Sequence, residues 1–215
     1  MRTHALFSHF ILLAAILIVS GCCHTHVPKL SNMINIADTR QATTYTCGVA
    51  SVQAILNYYG IDKREDQLIE QFGATEAAGT STSQIIAGLE SYGLVATRKE
   101  QTTMDDLRAN VQNKIPTIVA IQAWLDEYPP HHDWSEIWEE GHWLIVIGLD
   151  DKNVYFEDPS LLGTLGWLTH AEFLARWHDY DGDAPCCDAN DKKLIHLSIS
   201  VKGTLIKWNK YTHID

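Results

Sequence analysis

Cys47, His142 and Asp158 are the residues whose types and order could break an acyl bond. Cys47 lies in Gln41-Ala42-Thr43-Thr44-Tyr45-Thr46-Cys47-Gly48, where a stretch of helical periodicity begins. A thiol in the first turn of a helix meets the positive end of the macrodipole and unpaired backbone N–H groups, and both favour the thiolate. The competing reading is a small buried hydrophobe, common for a free cysteine. Against it, Val49, Val52, Leu56 and Tyr59 already supply the apolar face. A thiolate that attacks a carbonyl needs a partner able to protonate a leaving amine, and histidine suits that role near neutrality. The chain has 11 histidines, so position must choose. His142 opens the apolar run His142-Trp143-Leu144-Ile145-Val146-Ile147, where a polar residue is least expected, and Gly141 permits close approach of backbone or substrate. The plainer reading is a strand-edge histidine facing solvent.

An imidazole acting as acid and base must be held in one tautomer by a third group. Asp158, after Val154-Tyr155-Phe156-Glu157 and before Pro159, sits where a strand ends; an ordinary Asp-Pro turn is its alternative, and Glu157 and Asp150 are rivals. Strand parity supplies a test, because side chains alternate faces. A two- or four-residue turn centred on Asp151 and Lys152 would pair Asp158 with Ile145, opposite His142. A three-residue turn or one bulge would pair it with Val146, on the same face. A triad therefore requires an irregular hairpin. Gln41 could donate to a developing oxyanion beside the Cys47 N–H.

The elements that must position these groups fall into two runs. Helices are predicted from Thr46 as N-cap to Tyr59 with Gly60 as stop, near Arg64 to Phe72 before Gly73, from Ser83 to Tyr92 before Gly93, and from Thr103 through Val111. Strands are predicted over Val95–Lys99, Pro116–Ala123, His142–Leu149, Val154–Glu157, Leu194–Ser200 and Thr204–Trp208, with a capping box at Thr169 opening a short helix to Trp177. Helices first and an antiparallel sheet second make an α+β layout with two lobes and a cleft between them.

The 215-residue chain carries a formal net charge of −11, which disfavours nucleic acid and anionic lipid surfaces as partners and mildly favours cationic or neutral substrates. Residues 1–21 read as a secretory signal peptide whose apolar run, Phe10 to Val19, is too short to span a bilayer. Its ending, Val19-Ser20-Gly21-Cys22, resembles a bacterial lipobox; the resemblance implies lipidation of Cys22, and Cys23 is not the aspartate that marks inner-membrane retention. Residues 22–39 then read as a lipidated tether and 40–215 as the domain, in the bacterial cell envelope. Of the remaining cysteines, Cys186 and Cys187 are adjacent, so a bridge between them would be strained. A bridge from either to Cys23 stays open, and Cys47 is left free to react.

Gln41-x5-Cys47-Gly48, the helix ending Tyr58-Tyr59-Gly60, Gly141-His142 and Asp158-Pro159 together resemble the C39-type peptidase domains of the papain-like cysteine peptidase superfamily. The resemblance covers roughly Arg40 to Trp177. It implies a papain-like architecture with Cys47 as nucleophile, His142 as acid and base, Asp158 as its orienting group and Gln41 in the oxyanion hole. A peptide or protein substrate is expected, without cofactor or metal. Well-known members are joined to an exporter and cut after a double glycine. No transporter spans or Walker-type P-loop are found here, so double-glycine processing is not carried over. Gly48, Gly141 and Trp143 are expected to line the substrate cleft, and the aromatic segment Trp124 to Glu140 reads as a lid or as a surface loop pinned by its rings. A metal at His131, His132 and Asp133 is set aside, because adjacent residues rarely make a full ligand set. Two other functions fit the same residues: acyl or amide transfer, and a binding lipoprotein that kept the fold. Oligomeric state is not legible.

Overall fold

The computed structural model describes residues 32–125, 132–181, 192–206 and 213. Four helices, α1 (Cys47–Tyr58), α2 (Glu65–Phe72), α3 (Thr82–Ser91) and α4 (Met104–Gln112), dominate the first half, with β1 (Val95–Lys99) between the last two. Then follow β2 (Thr117–Gln122), β3 (Gly141–Leu149), β4 (Asn153–Glu157), β5 (Gly166–Thr169), α5 (His170–Arg176), β6 (His178–Asp181), β7 (Lys192–Ile195) and β8 (Ser198–Lys202). The first helix starts and stops where the periodicity places it. Helix α2 ends on Gly73, which adopts φ +69, a left-handed C-cap that favours glycine. Capping boxes open α3 (Ser81 with Gln84), α4 (Thr103 with Asp106) and α5 (Thr169 with Glu172).

Six strands form one antiparallel sheet in the order β1-β8-β2-β3-β4-β5. Its centre is β2 and β3, where every residue from Thr117 to Gln122 and from His142 to Gly148 is buried, so these runs are apolar rather than alternating. Val49, Val52, Ile55 and Leu56 of α1 and Ile85 and Leu89 of α3 are fully buried in the same core. On the face that bears Phe156, α5 packs with Phe173 5.5 Å from the Phe156 ring and 4.6 Å from that of Trp177. Strands β6 and β7 make a separate two-stranded sheet.

The hairpin joining β3 to β4 is irregular. Ile145 pairs with Glu157 and Val146 with Phe156, but Gly148 pairs with Tyr155 and Leu149 with Val154, so Ile147 is an extra residue on β3. The turn itself is the even-numbered one, closed by the Asp150 N–H on Asn153 O at 3.1 Å. The bulge rather than the turn resets the parity, and the register carried one step further sets Asp158 opposite Leu144 instead of Val146. Both positions share the face of His142.

Other expectations need correction. The stretch Leu194–Ser200 is two strands, because His196 turns the chain with φ +50 and stacks on Trp177 at 4.9 Å. Residues 203–206 form no strand, and the rest of the predicted Thr204–Trp208 element lies outside the described residues. The packed domain also begins upstream of residue 40: Ile34 and Ile36 are buried, and the Ile34 N–H donates to Ile147 O at 2.8 Å. Glu157 pins the same lead-in, accepting the Thr39 N–H at 2.9 Å.

Glu157 is 1 % exposed and its Oε2 has no partner among the described residues. Burial, reinforced by the charges of Asp158 and Asp38 and opposed by the Thr39 N–H and His142, lifts its carboxyl from 4.5 to about 8. The folded chain therefore keeps a proton that the unfolded chain releases, and this contribution to stability is lost as pH rises from the unfolded value through the folded one. Denaturant unfolding at about pH 5 and about pH 8 should show wild type losing about 1–3 kcal/mol relative to Glu157→Gln as pH rises, the usual cost of a buried polar group left uncompensated. A difference that does not change with pH would refute this account of Glu157.

Candidate active site

Cys47 is the first residue of α1 and is 8 % exposed. Thr46 occupies the N-cap position, but not as a capping side chain. Its Oγ1 accepts from the Thr43 N–H at 3.3 Å and pairs with the Thr43 hydroxyl at 3.1 Å, and no side-chain cap bond reaches the helix. The leading N–H groups of α1 are thus not taken by the usual cap. Ser51 holds the helix to the sheet, its hydroxyl donating to Trp143 O at 3.2 Å. Gly48 makes this approach possible: a Cβ there would lie 2.8 Å from Thr80 Cβ and 3.1 Å from Trp143 Cδ1. Gly48 is a packing position and lines neither groove beside Cys47, contrary to its expected place in the cleft.

His142 is the second residue of β3 and 5 % exposed. Its Nε2 lies 2.7 Å from Asp158 Oδ1, which also accepts the Ser160 N–H at 2.8 Å. With Nε2 so engaged, Nδ1 is the nitrogen left for Cys47. Burial alone would lower the imidazole's pKa, but the hydrogen bond to Asp158, the nearby Cys47 thiol and the charges of both outweigh it and hold the ring well above its usual 6.5. The two rival carboxylates are elsewhere. Asp150 accepts from the Lys152 and Asn153 N–H groups and the Tyr155 hydroxyl, and Glu157 faces the lead-in.

Gln41 is tied to the loop that follows Asp158. Its N–H donates to Pro159 O at 3.0 Å, its Oε1 accepts the Ser160 hydroxyl at 3.2 Å, and its Nε2 donates to Thr43 O at 2.6 Å. One amide hydrogen remains uncommitted. Gln41, Cys47, His142 and Trp124 line a groove of about 510 Å³. A second groove, about 290 Å³, leaves Cys47 on another side and is lined by Gly141, Trp143, Trp138 and Asp179. Cys47, Thr44, Glu139 and Gly141 belong to both, so the thiol sits at their junction.

Asp179, on β6, was not singled out from sequence because His178-Asp179-Tyr180-Asp181 has no strand pattern. Gly141 carries the one hint: a Cβ there would lie 2.6 and 2.7 Å from the Asp179 carboxylate oxygens. Asp179 accepts the Tyr180 N–H at 2.9 Å and the Gln122 amide at 3.3 Å. Burial lifts its carboxyl to about 7, against these hydrogen bonds and the charge of His142. In the aromatic segment, Trp124, Trp138, Glu139 and Glu140 wall the two grooves, while Trp134 lies under the Arg176 guanidinium at 3.6 Å. Residues 126–131, His131 included, lie outside the described residues, as do Cys22, Cys23, Cys186 and Cys187. Asp133 caps a 3₁₀ turn by accepting from Ser135 at 2.9 Å, and no group of three or more His, Cys, Asp or Glu among the described residues could hold a metal.

The profile of the Peptidase_C39 like family matches residues 33–185, well over half of the chain. Uncharacterised proteins of Methanothermobacter marburgensis and Methanothermobacter thermautotrophicus are each 26 % identical, over 57 % and 56 % of this chain and 70 % of their own length. Among solved structures, the peptidase domain of Streptococcus ComA, a bi-functional ABC transporter, superposes with a TM-score of 0.55 at 16 % identity, covering 76 % of this chain and 95 % of that one. A double-glycine-motif protease from an AMS/PCAT transporter, solved with its leader peptide, gives 0.53 at 17 %, covering 80 % and 95 %. A Bacillus anthracis protein described as C39-like gives 0.56 at 16 %, covering 80 % and 98 %. At these identities the likeness is one of fold: helices on an antiparallel sheet, as expected from the sequence.

Because Asp158 is a main cause of the raised imidazole pKa, Asp158→Asn should lower the His142 pKa by more than about one unit, read by ¹⁵N NMR of the ring. An unchanged titration would mean that the carboxylate does not set the state of this histidine.

Proposed function

The chain belongs to the Peptidase_C39 like family, and on that premise we propose that it is a cysteine peptidase whose nucleophile is Cys47. The observation that carries the reading is the buried His142–Asp158 pair beside the buried Cys47 thiol, with the thiol at the junction of two grooves.

The thiolate of Cys47 attacks a peptide carbonyl, and the electron pair moves to the carbonyl oxygen. The uncommitted Gln41 amide hydrogen and the Cys47 N–H, at the uncapped start of α1, are the donors for that oxyanion. As the intermediate collapses, the C–N bond breaks and the amine leaves with the proton from His142. Water then adds to the thioester, giving its proton back to His142, and the acid departs as Cys47 is restored. Asp158 holds the ring in one orientation throughout, and the Ser160 N–H holds Asp158 in turn. Within the wider reading, lipidation of Cys22 would tether the domain to the cell envelope. The described residues contain no helix long and apolar enough to cross a membrane.

Mass spectrometry of a peptide library incubated with the protein tests the activity. Wild type should yield cleaved products bearing one oxygen from solvent water, and Cys47→Ala none. Gln41→Ala should lower kcat by about 10²–10³ with little change in KM, the usual cost of one oxyanion donor. Undiminished cleavage by Cys47→Ala, or products lacking solvent oxygen, would sink the hydrolase reading.

A further inference from the structure

The two grooves beside Cys47 differ in what they can hold. A leaving amine takes its proton from His142, so it departs through the groove that contains His142 and Gln41. The acyl half of the substrate, which stays on the thiol, must then lie in the other groove. That groove runs from Cys47 past Gly141 and is lined by Glu76, Glu139 and Asp179 together with Tyr45, Trp138 and Tyr180. Asp181 lines it too, but it is already paired with Arg98 at 3.3 Å. Glu76, Glu139 and Asp179 form no ion pair among the described residues, and no described Lys, Arg or His lines the groove. Lys193, outside the lining, already sits over the Trp138 and Tyr180 rings at 4.6 and 5.9 Å, which leaves Tyr45 as the aromatic face for an arriving cation.

Carboxylates and aromatic faces in one partly buried space suit a cation that is shed of some of its water: charge-assisted hydrogen bonds on one side, ring quadrupoles on the other. A second feature of the same groove is independent of its acids. Thr80, in the wall, is 4 % exposed and its Oγ1 finds no hydrogen-bond partner among the described residues. That oxygen lies 3.1 Å from where a Gly48 Cβ would stand, so a polar group arriving in the groove meets it through a small shift of the Thr80 side chain and relieves the cost of an unpaired hydroxyl.

We propose that this groove is the subsite for a lysine or arginine side chain on the acyl side of the scissile bond, with Asp179 as the residue that sets the preference. The proposal rests on the peptidase reading and adds a substrate class to it. Asp179 is placed for this role by Gly141, which lets its carboxylate lie against the strand that presents His142. The formal charge of −11 adds long-range attraction for a basic peptide.

The test uses peptidyl acyloxymethyl ketones that carry Lys, norleucine or Glu at the first or second residue before the reactive carbon. Norleucine keeps the hydrocarbon of lysine without the ammonium. The rate of Cys47 modification is followed by mass spectrometry, with Cys47→Ser as control. In at least one of the two series the Lys probe should react at least about tenfold faster than the norleucine probe, the scale of one charge-assisted hydrogen bond. The Lys/norleucine ratio should fall toward one in Asp179→Asn, fall partly in Glu76→Gln, and shrink with added salt. Reading a ratio removes any general change in reactivity, and Glu76, on the exposed wall, serves should Asp179→Asn not fold. Modification of Cys47 with no Lys preference in wild type, or with a ratio that neither variant alters, overturns the subsite alone. Failure of every probe to modify Cys47 overturns the peptidase reading, and the subsite falls with it.

Discussion

The hydrogen bond between His142 Nε2 and Asp158 Oδ1 is the interaction on which the rest of the site depends, and one surplus residue makes it possible. Ile147 bulges from β3 between the Val146–Phe156 and Gly148–Tyr155 pairs. Without that bulge the even turn at Asp150–Asn153 would send Asp158 to the face opposite His142, since a one-residue slip reverses every side chain. The bulge is held from outside as well, because Ile147 O accepts the Ile34 N–H. The lead-in before the nucleophile therefore braces the strand irregularity that sets the geometry of the histidine.

Both members of this pair are nearly buried, at 5 % and 7 % exposure. Placing charge there is unfavourable unless each partner is met by another. The surroundings meet that condition for the ring: Asp158 on Nε2, the Cys47 thiol near by, and the Ser160 N–H on the same carboxylate oxygen. Removing any one group leaves the others exposed to the desolvation cost, so the positions act as a unit and their separate effects will not add. Gln41 is bound into this unit through Pro159 and Ser160. The residue that would bind the oxyanion and the loop that steadies Asp158 are thus mutually positioned.

Much of this was legible in the sequence because it is local. Cys47 at a helix start, His142 at the head of an apolar strand and Asp158 at a strand end each follow from a short window, and parity required an irregular hairpin if Asp158 was to share a face with His142. The sequence could not say that the irregularity lies in β3 at Ile147 rather than in the turn, because the Ile34 N–H that meets Ile147 O comes from far along the chain. Gly48 was misread for a related reason. Its lack of a side chain answers to Thr80 and Trp143, one far along the chain from the other, and not to substrate. Strand β6 was invisible because His178-Asp179-Tyr180-Asp181 has no apolar periodicity and pairs only with β7, in a separate two-stranded sheet.

The electrostatics of Asp179 follow from its burial on that strand. Its carboxyl is raised by burial and by Asp181, and lowered by the Tyr180 N–H, the Gln122 amide and the His142 charge. At about 7 it is balanced between neutral and ionised near neutral pH. A carboxyl in that state responds strongly to any further charge nearby: an arriving cation favours the ionised form, and an arriving anion meets a desolvated acid that has little reason to ionise. The same ionisation adds a second negative charge near His142, which favours its protonated form. On the proposed subsite, occupation of the groove by a cation and protonation of the histidine would therefore be linked through Asp179 with the same sign, because both favour its ionised form. Under that proposal substrate charge would reach the acid–base group without touching it, through a single side chain placed where Gly141 leaves room.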